Sequence, residues 1–160
     1  MTAATALLQN SLPLSKSPLL MSHNVQGWNS LLIVGTGVDL TEISRIQDSV
    51  DRFGERFLDR IYTPREIAYC MRKRNCAESL AARFAAKEAG AKALGTGIAR
   101  GVSWREIEVA HLPGGRPTIF FHGRAAERAA TMGVTAVHLS LSHGRDLAIA
   151  QVILESLPTI

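Results

Sequence analysis

Glu88 is the residue whose position in this sequence points most directly to chemistry. The helix predicted around it carries an apolar stripe formed by Leu80, Phe84, Ala91 and Leu94. At about 100° per residue, Glu88 lies within about 40–50° of the centre of that stripe. Because an unpaired carboxylate buried there would be costly, a cation should meet it. A metal ion or a lysine is expected, and Lys87 and Lys92 are the lysines of this helix.

The alternative is a solvent-exposed ion pair between Glu88 and Lys92, which are spaced i,i+4. Residues at this spacing are neighbours on a helix surface, where a pair adds only a few tenths of a kcal/mol. Such a pair would need no ligand. The rest of the sequence favours the first interpretation.

Two further motifs contain residue types that occur in cofactor-binding or catalytic sites, but their spacing does not match such a site. Gly35-Thr36-Gly37 follows an apolar run, but the third glycine of a dinucleotide-binding loop is missing. Ser140 and Ser142 are close in sequence to His143, yet adjacent residues do not supply a nucleophile, a base and a distant orienting group. Neither motif defines a catalytic site by itself.

Length and composition predict one globular domain. The chain has 160 residues, of which 46% are hydrophobic and 20% charged, enough to bury one core. No apolar run approaches the roughly 18–20 residues that span a bilayer, so a soluble protein without membrane contact is expected. The net charge of +4 favours an anionic partner: nucleic acid, a phosphorylated cofactor or an acidic protein. Cys70 and Cys76 match no zinc or redox spacing and are expected as free thiols.

The first part of the chain differs in composition from the rest. Residues 1–29 contain one formal charge, Lys16. We expect them to be a disordered extension, with residues 30–160 as a single domain and Met21 as an alternative start. A transit peptide would be rich in arginine, and a secretion signal would carry a sustained apolar segment. Because neither feature is present, the sequence predicts a cytoplasmic protein.

The helix predicted over 41–61 separates its charged residues by face. It follows a strand over 31–38 that Asp39 ends, and Gly54 is expected only to weaken it. Its apolar face consists of Ile43, Ile46, Val50, Phe53, Phe57 and Ile61. Another face carries the arginine ridge, formed by Arg45, Arg52, Arg56 and Arg60. A ridge of one sign can bind an outside anion, whereas the alternative is a solvated face whose acids and arginines pair diagonally.

The remaining segments predict an α+β fold. Thr63 and Glu66 form a capping box that begins a short helix, and Asn75 with Glu78 begins the helix that carries Glu88. A helix is predicted over 123–132, and strands are predicted over 104–112, 117–121, 138–142 and 147–154. Helices in the first half should therefore pack on a small antiparallel sheet from the second half.

Four motifs follow one another along the chain. They are Gly37-Val38-Asp39-Leu40 followed by Arg45, Phe84-x-x-Lys87-Glu88-Ala89-x-x-Lys92-Ala93, Gly115-Arg116-Pro117, and Ser140-Leu141-Ser142-His143. In these motifs, their order and their spacing, the chain from about Ser30 to Glu155 resembles the holo-[acyl-carrier-protein] synthases. That family is the short, single-domain type of 4′-phosphopantetheinyl transferase.

The resemblance implies a group transfer at a pyrophosphate. Such enzymes move the 4′-phosphopantetheine arm of coenzyme A to a serine of acyl carrier protein, in support of fatty acid biosynthesis, and release adenosine 3′,5′-bisphosphate. The serine attacks the β-phosphorus, and Mg²⁺ neutralises the pyrophosphate. By position, Asp39 and Glu88 are the metal ligands. Lys92 is a phosphate ligand that stabilises charge on the leaving group.

The other site residues also follow from the resemblance. His143 is expected to contact a phosphate of coenzyme A, as is Arg83 or Lys87, and Gly115-Arg116-Pro117 resembles the turn near the adenine. Three groups are candidates for the general base: Glu88, a metal-bound water and His143. The catalytic set is thus Glu88, Lys92 and His143.

The resemblance further implies two kinds of protein contact. Members of the family form homotrimers with each active site between neighbouring subunits. Acyl carrier proteins are small and acidic, so an acyl carrier protein is the partner expected to bind the arginine ridge. Arg45 matches the docking arginine of the family, and periodicity adds Arg52 and Arg56.

The competing functions are a nucleic-acid-binding module and a non-catalytic adaptor for acidic proteins. Aromatic residues make up 6% of the chain and do not alternate with basic residues, so no base-stacking surface is predicted. Neither function needs two carboxylates at a phosphate site. The pair of Asp39 and Glu88 therefore favours an enzyme, and no nucleic acid is expected as a partner.

Overall fold

The computed structural model describes residues 32–98 and 101–158. The segment 1–29, for which the sequence predicts a disordered extension, lies outside the described residues. The elements are β1 (Leu32–Glu42), α1 (Ile43–Phe53), α2 (Glu55–Ile61), α3 (Pro64–Cys70), α4 (Cys76–Ala93), a 3₁₀ turn (Trp104–Glu106), β2 (Ile107–His111), β3 (Pro117–Phe121), α5 (Gly123–Thr131), β4 (Val134–His143) and β5 (Leu147–Ser156). None of the described helices combines the length and the apolar composition that crossing a membrane requires.

The strands form two antiparallel sheets, which confirms the predicted α+β class. The larger sheet has the strand order β1-β5-β4, and β2 pairs with β3 in a separate hairpin. One detail differs from the prediction, because β1 comes from the first half of the chain and forms an edge of the larger sheet. The backbone groups of β1 need hydrogen-bond partners. They find them on β5, where Asp39 lies opposite Ala150.

Gly35 and Gly37 allow β1 to approach α4 closely. Because side chains alternate along a strand, both glycines share the inner face of β1 with Asp39. A Cβ atom at Gly35 would collide with the backbone carbonyl of Ala93, and one at Gly37 with that of Ala89. The strand and the helix can be this close only because both positions lack a side chain. Asp39 is thereby held against α4.

Replacing Gly37 with alanine is expected to lower the free energy of unfolding by about 3 kcal/mol, because the added methyl group meets a backbone carbonyl that cannot rotate away. Urea denaturation followed by circular dichroism measures the loss. Gly144→Ala is the matched control, since a Cβ there meets nothing within 4 Å. It should change stability by no more than about 0.5 kcal/mol. Equal midpoints for the two variants would show that β1 and α4 are not in backbone contact.

α4 is the central element of the fold and is buried on almost every side. Most of its buried positions are alanines. One hydrophobic cluster packs it against the larger sheet through residues such as Val152 and Leu154, and another includes Ile46 of α1 and Leu58 of α2. Small residues on all faces let neighbouring elements approach from several directions. The apolar stripe predicted from the sequence is therefore only part of the buried surface of α4.

The helix predicted over 41–61 is two helices in the structure. Gly54 has φ 54° and ψ −135°, which ends α1 and begins α2. A residue with positive φ cannot continue a right-handed helix, whereas the prediction assumed a helical glycine. Phe53, predicted on the apolar face, is consequently 49% exposed. The arginine ridge is divided as well: Arg45 and Arg52 lie on α1, and Arg56 and Arg60 lie on α2.

Local hydrogen bonds at two helix starts show one correct prediction and one error. Thr63 Oγ1 accepts from the backbone N–H of Glu66 at 3.3 Å, and Glu66 Oε2 accepts from the backbone N–H of Thr63 at 2.8 Å. The predicted capping box is therefore confirmed. Glu106 Oε2 likewise accepts from the backbone N–H of Ser103 at 2.7 Å. The segment predicted as the start of a strand at 104 is for this reason a 3₁₀ turn that precedes β2.

Candidate active site

Asp39 and Glu88 line one cavity of about 360 Å³, together with Arg45, Phe84 and Trp104. Asp39 comes from the inner face of β1 and Glu88 from α4, and the close packing of these two elements brings them to the same space. Two carboxylates in one cavity concentrate negative charge. Such a donor set suits a hard divalent cation, which binds through one or two carboxylates. We call this space the carboxylate cavity.

Both oxygens of Asp39 accept hydrogen bonds. Lys92 Nζ donates to Asp39 Oδ1 at 2.8 Å and to the carbonyl of Val38 at 3.0 Å. Thr41 Oγ1 donates to Oδ2 at 3.0 Å. Because the lysine side chain is 51% exposed, this ion pair adds little to stability, but it keeps a cation beside the carboxylate. Among the described residues Lys92 pairs with Asp39 only, so the alternative of a Glu88–Lys92 pair is wrong.

Glu88 is half-buried and meets a neutral donor. Its Oε1 accepts from the indole Nε1 of Trp104 at 2.7 Å. The indole ring stacks on Phe84, with ring centroids 6.2 Å apart. Trp104 was not predicted as a site residue, because a residue of a distant turn leaves no signal in the sequence pattern of α4. A lysine was expected as a possible partner of Glu88, but within the described residues Lys87 pairs with Glu66 and Lys92 pairs with Asp39.

Lys87, expected to contact a phosphate of coenzyme A, belongs to the core instead. Its side chain is fully buried, and Nζ lies 2.7 Å from Glu66 Oε2. Nζ also donates to the backbone carbonyls of Trp104 at 3.0 Å and Ile107 at 2.7 Å. Burial lowers the pKa of Lys87, and the Glu66 carboxylate opposes that shift. Since three acceptors surround the three N–H groups of the ammonium, the structure contradicts the expected phosphate contact.

A second cavity, of about 480 Å³, has a basic lining and is called the basic cavity below. Its cationic and histidine residues are Lys73, Arg74, Arg83, His111 and His143. Glu78 also lines it, with Oε2 3.8 Å from Nδ1 of His143. Burial lowers the pKa of His111, and the charges of Arg83 and Lys73 lower it further. This excess of positive charge suits a phosphorylated ligand.

Arg83 has an incomplete set of hydrogen bonds in the basic cavity. It is 4% exposed, its Nη1 donates to Ser79 Oγ at 2.9 Å, and its guanidinium lies 4.1 Å from the ring centroid of Tyr69. Within the described residues, the buried Nε atom has no acceptor. A buried donor without an acceptor is costly. Arg83 is therefore a suitable group to bind an anion that enters this cavity.

Three residues of the basic cavity were missed by the sequence analysis. Lys73 and Arg74 belong to the basic run Arg72-Lys73-Arg74 between α3 and α4, which was a visible signal for an anion site. His111 had no local signal. It ends β2, and its ring stacks on Tyr69 with centroids 4.9 Å apart, so only tertiary packing brings it to the cavity.

The other predicted residues lie away from the basic cavity. In the described chain, residues 115–117 line neither cavity: Gly115 and Arg116 are exposed in the turn after β2, and Pro117 begins β3. Arg45 lines the carboxylate cavity. Arg52 lies 5.0 Å over the ring of Phe53, and Arg56 lines a groove that Phe53 shares. The structure thus places Arg45 at the cavity, whereas the other three arginines of the ridge, Arg60 included, lie beside the exposed ring of Phe53.

An α+β domain with a carboxylate cavity and a basic cavity has the features of an enzyme that acts on a phosphorylated substrate. The sequence model of the 4′-phosphopantetheinyl transferase superfamily matches residues 35–152. Two proteins named holo-[acyl-carrier-protein] synthase, from Koribacter versatilis and Solibacter usitatus, are each 56% identical to this chain. The matches cover 78% of this chain and 99% and 100% of those relatives.

Solved structures agree with the sequence relatives. Holo-[acyl-carrier-protein] synthase from Neisseria meningitidis is 38% identical, with a TM-score of 0.72, and the match covers 78% of this chain and all of that one. The Helicobacter pylori protein of the same name, in complex with coenzyme A, is 34% identical with a TM-score of 0.66, covering 74% and 98%. The chain belongs to the 4′-phosphopantetheinyl transferase superfamily and, within it, to the holo-[acyl-carrier-protein] synthases.

Proposed function

We propose that this chain transfers the 4′-phosphopantetheine arm of coenzyme A to a serine of acyl carrier protein, with Mg²⁺ held by Asp39 and Glu88. The products are holo-acyl carrier protein, which serves fatty acid biosynthesis, and adenosine 3′,5′-bisphosphate. The observation that carries the proposal is the cavity shared by the two carboxylates, in a domain whose second cavity is basic. The cytoplasmic location stays a prediction from the sequence.

The donor set of the carboxylate cavity fits Mg²⁺. This ion takes one or two carboxylates and completes its octahedral shell with waters and substrate phosphates. No group of three His, Cys, Asp or Glu side chains converges anywhere in the described residues, so the proposed ion would take its other ligands from water and substrate. Bound there, Mg²⁺ supplies neutralisation of the pyrophosphate charge.

Side chains of the protein hold the metal and bind the phosphates of the substrate. Asp39 and Glu88 hold their oxygens toward one space, and Lys92 keeps its ammonium 2.8 Å from Asp39, where it stabilises the charge that develops on the leaving phosphate. Arg83 and His143 bind phosphates of coenzyme A from the basic cavity. The β-phosphorus is thereby held where the serine hydroxyl of the carrier protein attacks it.

Intact-mass spectrometry of apo-acyl carrier protein tests the reaction. After incubation with the enzyme, coenzyme A and Mg²⁺, the carrier protein should gain the mass of one phosphopantetheine group. With EDTA in place of Mg²⁺, its mass should stay unchanged. Carrier protein that remains unmodified with all components present would overturn the proposed function. Modification that persists in EDTA would overturn the role of the metal alone.

A homotrimer with active sites between neighbouring subunits is part of the proposal. Val38 and Leu40 of β1 and Leu147 and Ile149 of β5 are between 40% and 57% exposed and share the outer face of the larger sheet. An exposed apolar face of this kind is typical of a protein interface. In such an assembly the exposed turn at 115–117 would contact the adenine bound to a neighbouring subunit. Light scattering that gives the mass of one chain would contradict the trimer.

Arg45→Glu is expected to raise the KM for acyl carrier protein about tenfold or more, because charge reversal turns attraction to an acidic partner into repulsion. Arg52→Glu and Arg56→Glu should raise it less. The KM for coenzyme A should stay within about twofold in all three variants. Steady-state kinetics with each substrate varied in turn measure the two constants. The KM of the unchanged enzyme for carrier protein should also rise with salt, since screening weakens exposed charges.

Arg124→Glu is the matched control for this prediction. Arg124 is exposed on α5, so its reversal changes the net charge equally at a different surface. The control should leave the KM for carrier protein unchanged. If it raised this KM as much as Arg45→Glu, net charge would explain the effect. If Arg45→Glu changed neither KM, the arginine ridge would be a solvated face.

A further inference from the structure

Trp104 connects the buried core to the carboxylate cavity. Its backbone carbonyl accepts from Nζ of Lys87 at 3.0 Å, and its indole N–H donates to Glu88 Oε1 at 2.7 Å. Lys87 is itself fully buried against Glu66, so the backbone of Trp104 is anchored to the core. Phe84 stacks on the indole ring and holds the orientation of its N–H group. Trp104 is thus fixed at both ends.

The indole hydrogen bond engages one oxygen of Glu88. Within the described residues, Oε2 accepts no hydrogen bond, so it is the oxygen of Glu88 that is left free for a ligand. A metal ion that took both oxygens would have to share Oε1 with the indole N–H, which draws on the same negative charge. A hydrogen bond to a charged group is stronger than one between neutral groups, so this contact favours one orientation of Glu88.

Metal ions differ in how they use a carboxylate. Mg²⁺ requires nearly ideal octahedral geometry and binds through single oxygens, whereas the larger Ca²⁺ accepts both oxygens of one carboxylate in a flexible shell. Groups that orient a ligand from behind therefore tune both the affinity for a metal and the choice of metal. A Glu88 restricted to one oxygen matches the requirement of Mg²⁺.

We infer that Trp104 is a positioning residue: its indole N–H holds Glu88 as a one-oxygen ligand and so favours Mg²⁺ over Ca²⁺. The inference rests on the proposed function, because Glu88 must first be a metal ligand. Trp104 contacts neither substrate in this account and acts only through Glu88. Its role is therefore tested by measuring the affinity for metal ions rather than the rate of transfer.

The test measures binding of Mn²⁺ by electron paramagnetic resonance, with coenzyme A present and carrier protein absent so that no transfer occurs. Trp104→Phe keeps a ring against Phe84 but removes the N–H donor. It should weaken Mn²⁺ binding about tenfold, the lower end of the usual effect of such changes. Competition with Mg²⁺ and with Ca²⁺ gives the preference between them. The preference for Mg²⁺ should fall by at least about threefold, because Glu88 becomes free to offer both oxygens.

Two controls separate the role of Trp104 from the existence of the site. Phe57→Leu removes a different aromatic ring that lines the carboxylate cavity and keeps the indole N–H, so it should retain the preference for Mg²⁺. Asp39→Asn should lose Mn²⁺ binding. If Asp39→Asn bound Mn²⁺ as well as the unchanged protein, the proposed metal site would fail, and the inference with it. If Asp39→Asn lost Mn²⁺ but Trp104→Phe bound and selected metals normally, only the inference would be overturned.

A second variant covers the case in which Trp104→Phe does not fold, which thermal unfolding would reveal. Trp104→Met also lacks a hydrogen-bond donor, and its flexible side chain adapts to the space left by the indole. It should show the same loss of preference for Mg²⁺. A folded Trp104→Met protein with the unchanged preference would overturn the inference.

Discussion

Asp39→Asn and Glu88→Gln each lower the rate of phosphopantetheine transfer by about a thousandfold or more, the largest effect on activity that we expect. Each variant would remove a charged ligand from the proposed Mg²⁺, and a metal at such a site supplies several kcal/mol of stabilisation to the transition state. Each 1.4 kcal/mol is about tenfold in rate. The fold should persist. Asp39→Asn loses an ion pair whose lysine side chain is 51% exposed and keeps one of the two oxygens that accept hydrogen bonds, and Glu88→Gln keeps an oxygen that accepts from Trp104. Transfer rates by mass spectrometry and unfolding curves by circular dichroism measure both quantities.

Glu127→Gln is the control for the carboxylate variants. Glu127 is an exposed carboxylate on α5, so its neutralisation changes the net charge equally but should leave the rate unchanged. A folded Asp39→Asn or Glu88→Gln protein with more than about a tenth of the normal rate would contradict the metal site.

Lys87→Met should have the largest effect on stability, lowering the free energy of unfolding by about 3–5 kcal/mol. The change leaves the carboxylate of Glu66 buried without its cation. It also removes the donor from the backbone carbonyls of Trp104 and Ile107. Denaturant unfolding measures the loss. Because Trp104 holds Glu88, Lys87→Met should also weaken Mn²⁺ binding at a temperature where the variant is still folded.

Lys92→Met is the matched control, since it makes the same substitution five residues further along α4. The side chain of Lys92 is 51% exposed, so losing its ion pair should cost no more than about 1 kcal/mol. If the free energy of unfolding fell equally in the two variants, the buried ion pair of Lys87 would contribute no more to stability than the exposed pair of Lys92. In contrast, transfer activity should fall in Lys92→Met because the leaving phosphate loses its ammonium.

Local signals predicted parts of this fold well. The capping box of Thr63 and Glu66 is confirmed because both partners lie within one helical turn, where residue types determine the contact. The hairpin of β2 and β3 and the pair of β4 and β5 follow from short turns. Glu66 also binds groups in the core, and no local sequence signal predicted these contacts. Its partners Lys87 and Val109 come from other elements, and only tertiary packing brings them together.

The charged residues of α4 show why periodicity did not identify the buried one. Glu88 was predicted at the apolar stripe, yet it is half-buried, and the neighbouring Lys87 is the residue inside the core. Alanine and glycine on every face of α4 make burial nearly uniform around the helix. A pattern of apolar residues then cannot show which charge points inward. Gly54 illustrates a different limit, because its residue type permits a helical or a left-handed backbone and the sequence does not choose.

The glycines of β1 also have a mechanical consequence. At Gly37 the strand meets the helix backbone to backbone, so no side-chain torsion lies between the two elements to absorb a displacement. A slide of α4 along its axis would therefore shift the Cα atom of Glu88 against that of Asp39 by the same distance. The separation of these two Cα atoms is in this sense a dimension of the main chain. Exchanging the two acids would change only how far each carboxylate reaches, whereas changing the separation of their Cα atoms would require a change in how the strand and helix are assembled.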